Sequence, residues 1–96
     1  MIITLCGPIS KQFDHVKKFR EKQHELEERR HVVLNPCVLP VGLNESEYMK
    51  ITQVFLEISD AAYFLNGWED SEGAFSEYET ASRMKGMLIY LEEMQE

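Results

Sequence analysis

The sequence predicts a small α/β domain in which helices cover both faces of a four-stranded parallel sheet. Short apolar runs alternate with longer amphipathic stretches, and Gly-Pro, Asn-Pro or Asn-Gly pairs end the first three runs. Parallel strands need long crossovers, and these are almost always right-handed. A chain of 96 residues has room for one domain, residues 1–96. We therefore expect a doubly wound, Rossmann-like sheet with strand order 2-1-3-4.

The first half of the chain predicts two strands separated by a helix. Ile2–Cys6 is an apolar run that Gly7-Pro8 ends. Ser10 is a candidate N-cap for a helix that continues to Arg30. Val32–Leu34 is the next strand, which Asn35-Pro36 ends because proline cannot donate to a ladder. The apolar stripe of the helix comprises Phe13, Val16, Phe19 and Leu26.

The second half predicts two more helices and two more strands. After a loop over residues 37–43, Asn44 and Glu47 form a capping box that opens a helix to about Ser59. Its predicted buried stripe comprises Tyr48, Ile51, Phe55 and Ile58. Residues 61–65 predict the third strand, and residues 73–85 predict a helix that Gly86 stops. Residues 87–91 predict the fourth strand, followed by a solvated tail over residues 92–96.

Composition narrows the possible partners. The formal net charge of −7 argues against duplex nucleic acid, because lysines and arginines must neutralise its phosphates. No apolar run approaches the roughly 18 residues of a membrane span, and no basic leader precedes the first strand, so we expect a cytoplasmic protein without membrane contact.

Cys6 and Cys37 lack metal-site spacing, so we expect reduced thiols, no metal and no other cofactor. His15, His24 and His31 are expected on the surface.

The loops that follow the strands are the expected binding region. In doubly wound sheets, ligands bind beyond the carboxyl ends of the strands, where the winding reverses. We therefore expect residues 7–10, 36–44 and 66–73 to lie together at one edge.

Glu77 is a carboxylate on the predicted buried face of the last helix. It falls within the apolar stripe of Ala74, Tyr78, Ala81 and Met84, whereas Glu79 points away. Burying a carboxylate is costly, so Glu77 is either a site residue or a partly exposed first-turn glutamate that the helix dipole stabilises. In the first turn the dipole would hold it ionised, as a nucleophile requires. Asp60 is the nearest candidate to protonate a leaving group; its alternative is a turn-forming aspartate.

Four segments of the chain together resemble the nucleoside 2-deoxyribosyltransferase-like superfamily, most closely a small branch common in phages and prophages. They are residues 6–10 (CGPIS), Asn35-Pro36, Ser59-Asp60 and residues 67–77 (GWEDSEGAFSE). The Asp-Ser-x-Gly-Ala-x-x-Glu stretch, with the Gly-Trp-Glu before it, is the most specific part.

The resemblance implies cleavage or transfer of the N-glycosidic bond of 2′-deoxynucleoside 5′-monophosphates, or of nucleosides. Glu77 matches the nucleophile, which forms a covalent deoxyribosyl intermediate, and Asp60 matches an acidic residue near the base. Ser71 matches a position where monophosphate hydrolases have serine and nucleoside transferases have aspartate, which favours a 5′-phosphate. The Trp68 ring is expected either to stack on the base or sugar or to form a dimer contact. The candidate substrate-binding residues are Gly7, Pro8, Ser10, Asn35, Trp68, Ser71 and Gly73.

The sequence departs from the larger members in two ways. They have a tyrosine near the nucleophile on the first strand, whereas here an orienting hydroxyl must come from Thr4, Tyr78 or a partner chain, or be absent. A fifth strand and its helix are also missing, so we expect a homodimer or a higher oligomer.

Two alternatives to an enzyme remain open. One is a nucleotide-binding or sequestering module with little or no turnover. The other is an acidic scaffold or host-interaction protein that binds through Glu69, Asp70, Glu72 and Glu79.

Overall fold

A four-stranded, all-parallel sheet forms the centre of the protein, with helices on both faces. The computed structural model describes residues 1–9, 14–40 and 42–92. The strands are β1 (Ile2–Cys6), β2 (Val32–Leu34), β3 (Ala61–Phe64) and β4 (Leu88–Leu91), and the helices are α1 (Asp14–Glu28), α2 (Glu45–Ile58) and α3 (Glu72–Arg83). The sheet order is β2-β1-β3-β4, with every neighbouring pair parallel. The predicted fold class and strand order are confirmed.

Local sequence signals set the ends of α2 and α3. The capping box is present: Asn44 Oδ1 accepts from the Glu47 N–H at 2.8 Å, and Glu47 Oε1 accepts from the Asn44 N–H at 3.0 Å. Helix α3 ends at Arg83, two residues earlier than predicted, so the prediction that Gly86 stops the helix is wrong. Gly86 lies in the turn before β4, where its φ of 83° suits glycine. The predicted cap Ser10 and the stripe residue Phe13 lie outside the described residues.

The core has one layer on each face of the sheet. On one face, Ile3 and Leu5 of β1 pack with Phe19 and Leu26 of α1. On the other face, the strand residues pack against Leu56 of α2 and Ala81 of α3. These strand residues are Cys6, Ala62 and Phe64. Both faces of β1 are therefore buried.

The predicted buried stripe of α2 is wrong by about one residue. Thr52 and Leu56 form the buried face, each 1% exposed, whereas Ile58 is 55% exposed. Thr52 can be buried because its hydroxyl donates to the Met49 carbonyl at 3.2 Å. A prediction from apolar residues alone does not include such a threonine. It therefore places the buried face of α2 about one residue away from the observed one.

Strand β4 is less covered than the centre of the sheet, and the residue that follows it is not a solvated tail. Leu88 and Leu91 are 46% and 51% exposed. The Glu92 N–H donates to the Phe64 carbonyl at 2.9 Å, and its Oε1 accepts from the Asn66 N–H at 3.1 Å. Glu92 therefore continues the ladder and ties down the turn after β3; residues 93–96 lie outside the described part.

Candidate active site

A cleft of about 690 Å³ lies beyond the carboxyl ends of the strands. The loops after β1, β2 and β3 all contribute to its lining, as do the first turns of the three helices. This volume falls within the usual range for small-molecule sites. Four residues predicted for the site line the cleft: Gly7, Ser71, Gly73 and Glu77.

Glu77 is the buried carboxylate of this cleft. It is 5% exposed, and its Oε2 is buried without a hydrogen-bond partner among the described residues. Burial raises the pKa of Glu77 from 4.5 to about 7, although a hydrogen bond from the Cys6 thiol acts in the opposite direction. The predicted stripe of α3 is confirmed, with Ala74 and Ala81 each 1% exposed beside Glu77.

The expected influence of the helix dipole on Glu77 is wrong. Helix α3 begins at Glu72, so Glu77 is its sixth residue and lies in the second turn. The dipole acts mainly within the first turn, and here desolvation outweighs it. With its pKa raised to about 7, Glu77 is partly protonated near neutral pH.

Tyr48 of α2 is a cleft residue that the sequence analysis assigned to the core. Its ring lines the cleft, and its hydroxyl is buried without a hydrogen-bond partner in the described chain. Burial, followed by the charge of Glu77, raises the pKa of Tyr48 well above its usual range. The hydroxyl therefore remains a proton donor at every working pH.

The start of α3 supplies backbone donors to the cleft. Ser71 is the N-cap, and its Oγ accepts from the Ala74 N–H at 3.3 Å. Glu72 and Gly73 are the first two residues of the helix, and the N–H groups at these positions have no carbonyl partner within the helix. A Cβ at Gly73 would meet Met49 Sδ at 4.0 Å, an ordinary contact, so packing does not require glycine there.

Gly7 lines the cleft, and close packing around it also favours glycine at this position. A Cβ at this position would lie 3.1 Å from the Leu65 Cβ and 3.2 Å from the Phe19 ring. The turn after β1 therefore lies directly on α1 and on the end of β3.

Asp60 does not share the site with Glu77, and this prediction is corrected. Asp60 precedes β3, so it lies at the amino edge of the sheet, separated from the cleft by the strand, roughly 13 Å long. Its Oδ2 accepts from the Ile2 N–H at 2.8 Å, and its backbone N–H donates to the Ile2 carbonyl, also at 2.8 Å. The Leu88 N–H donates to the Asp60 carbonyl at 3.1 Å, so Asp60 joins the starts of three strands.

Trp68 does not line the cleft either. Its ring stacks on Tyr78, with centroids 4.6 Å apart, and packs against Phe64 and Phe75. The apolar wall of the cleft comes instead from the loop after β2, through Leu39, Pro40 and Leu43. Trp68 anchors the turn that leads into α3.

Two other predicted binding residues shape the loops and are not part of the cleft lining. Asn35 is buried; its Oδ1 accepts from the Cys37 N–H and its Nδ2 donates to Gln23 Oε1, both at 2.9 Å. Pro8 packs against Gly67, where a Cβ would lie 3.2 Å from the proline Cγ. Ser10 lies outside the described residues.

Neither Thr4 nor Tyr78, the two hydroxyl candidates within this chain, lines the cleft. Thr4 Oγ1 lies 2.5 Å from Ser59 Oγ, and that serine donates to the Phe55 carbonyl at 2.6 Å. The Tyr78 ring belongs to the Trp68 cluster. Of the tyrosines in the described ranges, Tyr48 is the one that lines the cleft.

Two ionisable residues at the cleft were not predicted. His15 of α1, expected on the surface, is half-buried and lines the cleft, as does Glu45 of α2. Both stand in the first turn of a helix that follows a strand, which is the signal that could have found them.

The described residues contain no group of three or more His, Cys, Asp or Glu side chains arranged to hold a metal ion. Within the same ranges, none of the helices has the length and apolar character needed to cross a bilayer. Cys6 and Cys37 are free thiols.

The chain matches one family model, described as a domain of unknown function, DUF4406, over residues 1–90. No curated protein and no solved structure matches it. The matched range contains β1, β2, β3, all of β4 except its last residue, the three helices and every described residue that lines the cleft. The chain therefore belongs to the DUF4406 family.

Proposed function

We propose that the protein cleaves or transfers the N-glycosidic bond of 2′-deoxynucleoside 5′-monophosphates, with Glu77 as the nucleophile. One observation carries the proposal: a 5% exposed carboxylate, with an oxygen that has no partner in the described chain, lines a cleft of small-molecule size. Keeping such a group buried destabilises the fold, so a role in binding or catalysis accounts for its position. The resemblance of residues 67–77 to the deoxyribosyltransferase-like superfamily supplies the chemistry.

The first step forms a bond between a Glu77 oxygen and C1′ of the sugar. The C1′–N bond breaks, and its electron pair leaves with the base, which takes up a proton. Asp60 is too distant to give that proton, so we assign it to solvent or to Glu45, the other carboxylate of the cleft. Water or a second base then attacks C1′ and gives up a proton to solvent or to the group that protonated the leaving base. The bond between C1′ and the Glu77 oxygen breaks, its electron pair returns to the carboxylate, and the reaction retains the configuration at C1′.

The start of α3 supports binding of a 5′-phosphate. Ser71 and Gly73 line the cleft one to two turns before Glu77, a separation of about 6–9 Å along the helix. Backbone N–H groups at a helix N-terminus bind anions without needing a cationic side chain. We assign the phosphate contact to these backbone donors.

The apolar wall supports the remaining part of the ligand. Leu39, Pro40 and Leu43 provide a surface on which a flat base would lie without losing hydrogen bonds. In this proposal the loop after β2, rather than Trp68, contacts the base.

One observation favours a second candidate, a nucleotide-binding module with little turnover. With a pKa of about 7, Glu77 is partly protonated near neutral pH, and only its ionised form is a nucleophile. Substrate binding that leaves the base attached would support this candidate over the enzyme.

The deciding experiment is incubation with the four common 2′-deoxynucleoside 5′-monophosphates, with free base separated by chromatography. We expect base release, together with a deoxyribosyl adduct on Glu77 detectable by mass spectrometry of the quenched protein. Binding without release of any base would contradict the enzymatic proposal. Equal calorimetric affinity for a monophosphate and its nucleoside would contradict the phosphate assignment.

Self-association is the second part of the proposal. Leu88, Tyr90 and Leu91 of the edge strand β4 are 46%, 42% and 51% exposed, with Leu91 on the opposite face of the sheet from the other two. A second copy that packs along this edge would cover apolar side chains on both faces. Sedimentation at micromolar concentration should show a dimer or larger species; a monomer would contradict this part.

A further inference from the structure

Two buried side-chain atoms in the described part of the chain have no hydrogen-bond partner: the Tyr48 hydroxyl oxygen and Glu77 Oε2. They come from different helices, α2 and α3, yet both residues line the same cleft. Buried polar groups are nearly always paired, so each unpaired one calls for a reason. Two of them in one cleft point to a ligand that pairs with both.

The hydrogen-bonding roles of the two atoms determine which ligand group can pair with both. The phenol remains protonated and therefore donates, because burial and the charge of Glu77 both oppose its ionisation. The ionised carboxylate can only accept. A carbonyl would leave Glu77 unpaired and an ammonium group would leave Tyr48 unpaired, whereas a hydroxyl accepts from one and donates to the other.

The ring geometry of a deoxynucleotide fits such a pair. In a β-nucleotide the base and the 3′-hydroxyl lie on opposite faces of the sugar. A nucleophile that displaces the base must approach C1′ from the face that carries the 3′-hydroxyl. One oxygen of Glu77 can then face C1′ while the other accepts from the hydroxyl two ring atoms away.

We propose that Tyr48 and Glu77 together bind the 3′-hydroxyl of the substrate sugar, with the Tyr48 O–H donating to it and Glu77 Oε2 accepting from it. This inference rests on the proposed function for the identity of the ligand, and it adds a binding residue outside the motif at residues 67–77. It also selects 3′-hydroxyl nucleotides over their 3′-deoxy counterparts.

The test measures how much the 3′-hydroxyl contributes to binding, with and without the phenol. Carbocyclic analogues of the four deoxynucleoside monophosphates resist cleavage, and each is titrated calorimetrically beside its 3′-deoxy form. Wild-type protein should bind the 3′-deoxy forms at least tenfold more weakly. Tyr48→Phe keeps the ring and removes the donor, so it should reduce that ratio to threefold or less.

Tyr90→Phe is the matched control, because Tyr90 is exposed on β4 and stacks on Tyr63 away from the cleft lining. It should keep the wild-type ratio. An unchanged ratio in Tyr48→Phe, equal binding of both sugar forms to wild type, or failure of every analogue to bind would overturn the inference. Binding with the expected ratios but no base release from natural nucleotides would contradict only the proposed function.

Discussion

Two carboxylates at opposite edges of the sheet have opposite environments. Asp60, at the amino edge, is exposed, and its Oδ2 accepts from the Ile2 N–H at 2.8 Å. Glu77, at the carboxyl edge, is 5% exposed and has an oxygen with no partner in the described chain. Asp60 stabilises the fold by joining strands, whereas Glu77 costs stability because it is desolvated without full compensation.

The difference shows how to separate a structural acidic residue from a functional one. A carboxylate whose hydrogen bonds are already satisfied by backbone needs no further explanation. A buried carboxylate with unmet hydrogen-bonding capacity beside a cleft indicates a site that has been kept at the expense of stability.

The largest expected effect is the loss of activity in Glu77→Gln. Glutamine keeps the shape but removes the anionic nucleophile, so base release should fall by at least roughly 10³-fold. Chromatography of free base measures it. The control is Glu79→Gln on the exposed face of α3, which should leave turnover unchanged. If Glu77→Gln retained wild-type turnover, the different environments of Asp60 and Glu77 would have no bearing on catalysis.

The second effect is on stability and its dependence on pH. The pKa of Glu77 is about 7 in the folded protein and 4.5 as its ordinary value, so between these values the folded state binds more protons than the unfolded state. Stability therefore falls as the pH rises from 4.5 to 7, by on the order of 3 kcal/mol from this one group.

Glu77→Gln isolates that contribution because glutamine does not titrate. Chemical unfolding at pH 5 and at pH 8 should show the variant gaining stability over wild type at the higher pH. The difference between the two proteins should shrink at pH 5. If the two proteins differed in free energy of unfolding by the same amount at both pH values, Glu77 would be ionised throughout. Its burial would then not make stability depend on pH.

Asp60→Ala tests the other side of the comparison. Removal of the carboxylate leaves the Ile2 N–H without this partner, at a cost of about 1 kcal/mol for an exposed hydrogen bond. Thermal unfolding measures the loss, and base release per folded molecule should not change. A large fall in turnover with an intact fold would return Asp60 to the catalytic role implied by the resemblance.

The sequence predicts the secondary structure and topology of this molecule better than the composition of its candidate site. Asn35-Pro36 and the Asn44 capping box are local signals, and they locate the end of β2 and the start of α2 well. Gly86 marks a turn but not the last residue of α3. Helical spacing also identified Glu77, because a carboxylate within an apolar stripe is visible without knowledge of the fold.

The remaining site residues depend on tertiary position. Nearness in sequence and the resemblance both assign Asp60 to the site, although a residue that precedes a parallel strand must lie at the amino edge. Tyr48 was assigned to the core because an aromatic residue on a buried face has the same pattern whether it contacts side chains or an empty cleft. Trp68 lies in the predicted loop, but its ring packs behind α3 and not in the cleft.

The smallest expected effect comes from Gly73→Ala, which separates stability from ligand binding at one position of the carboxyl edge. The new Cβ would meet Met49 Sδ at 4.0 Å, so it fits without strain. Alanine in a helix is favoured over glycine by roughly 0.5–1 kcal/mol, and the free energy of unfolding should rise by up to that amount. If a phosphate lies against the backbone at the start of α3, the same methyl group should weaken monophosphate binding and leave nucleoside binding almost unchanged. Calorimetry with both ligands measures this. Equal weakening for the two would place the sugar or base, rather than the phosphate, at Gly73.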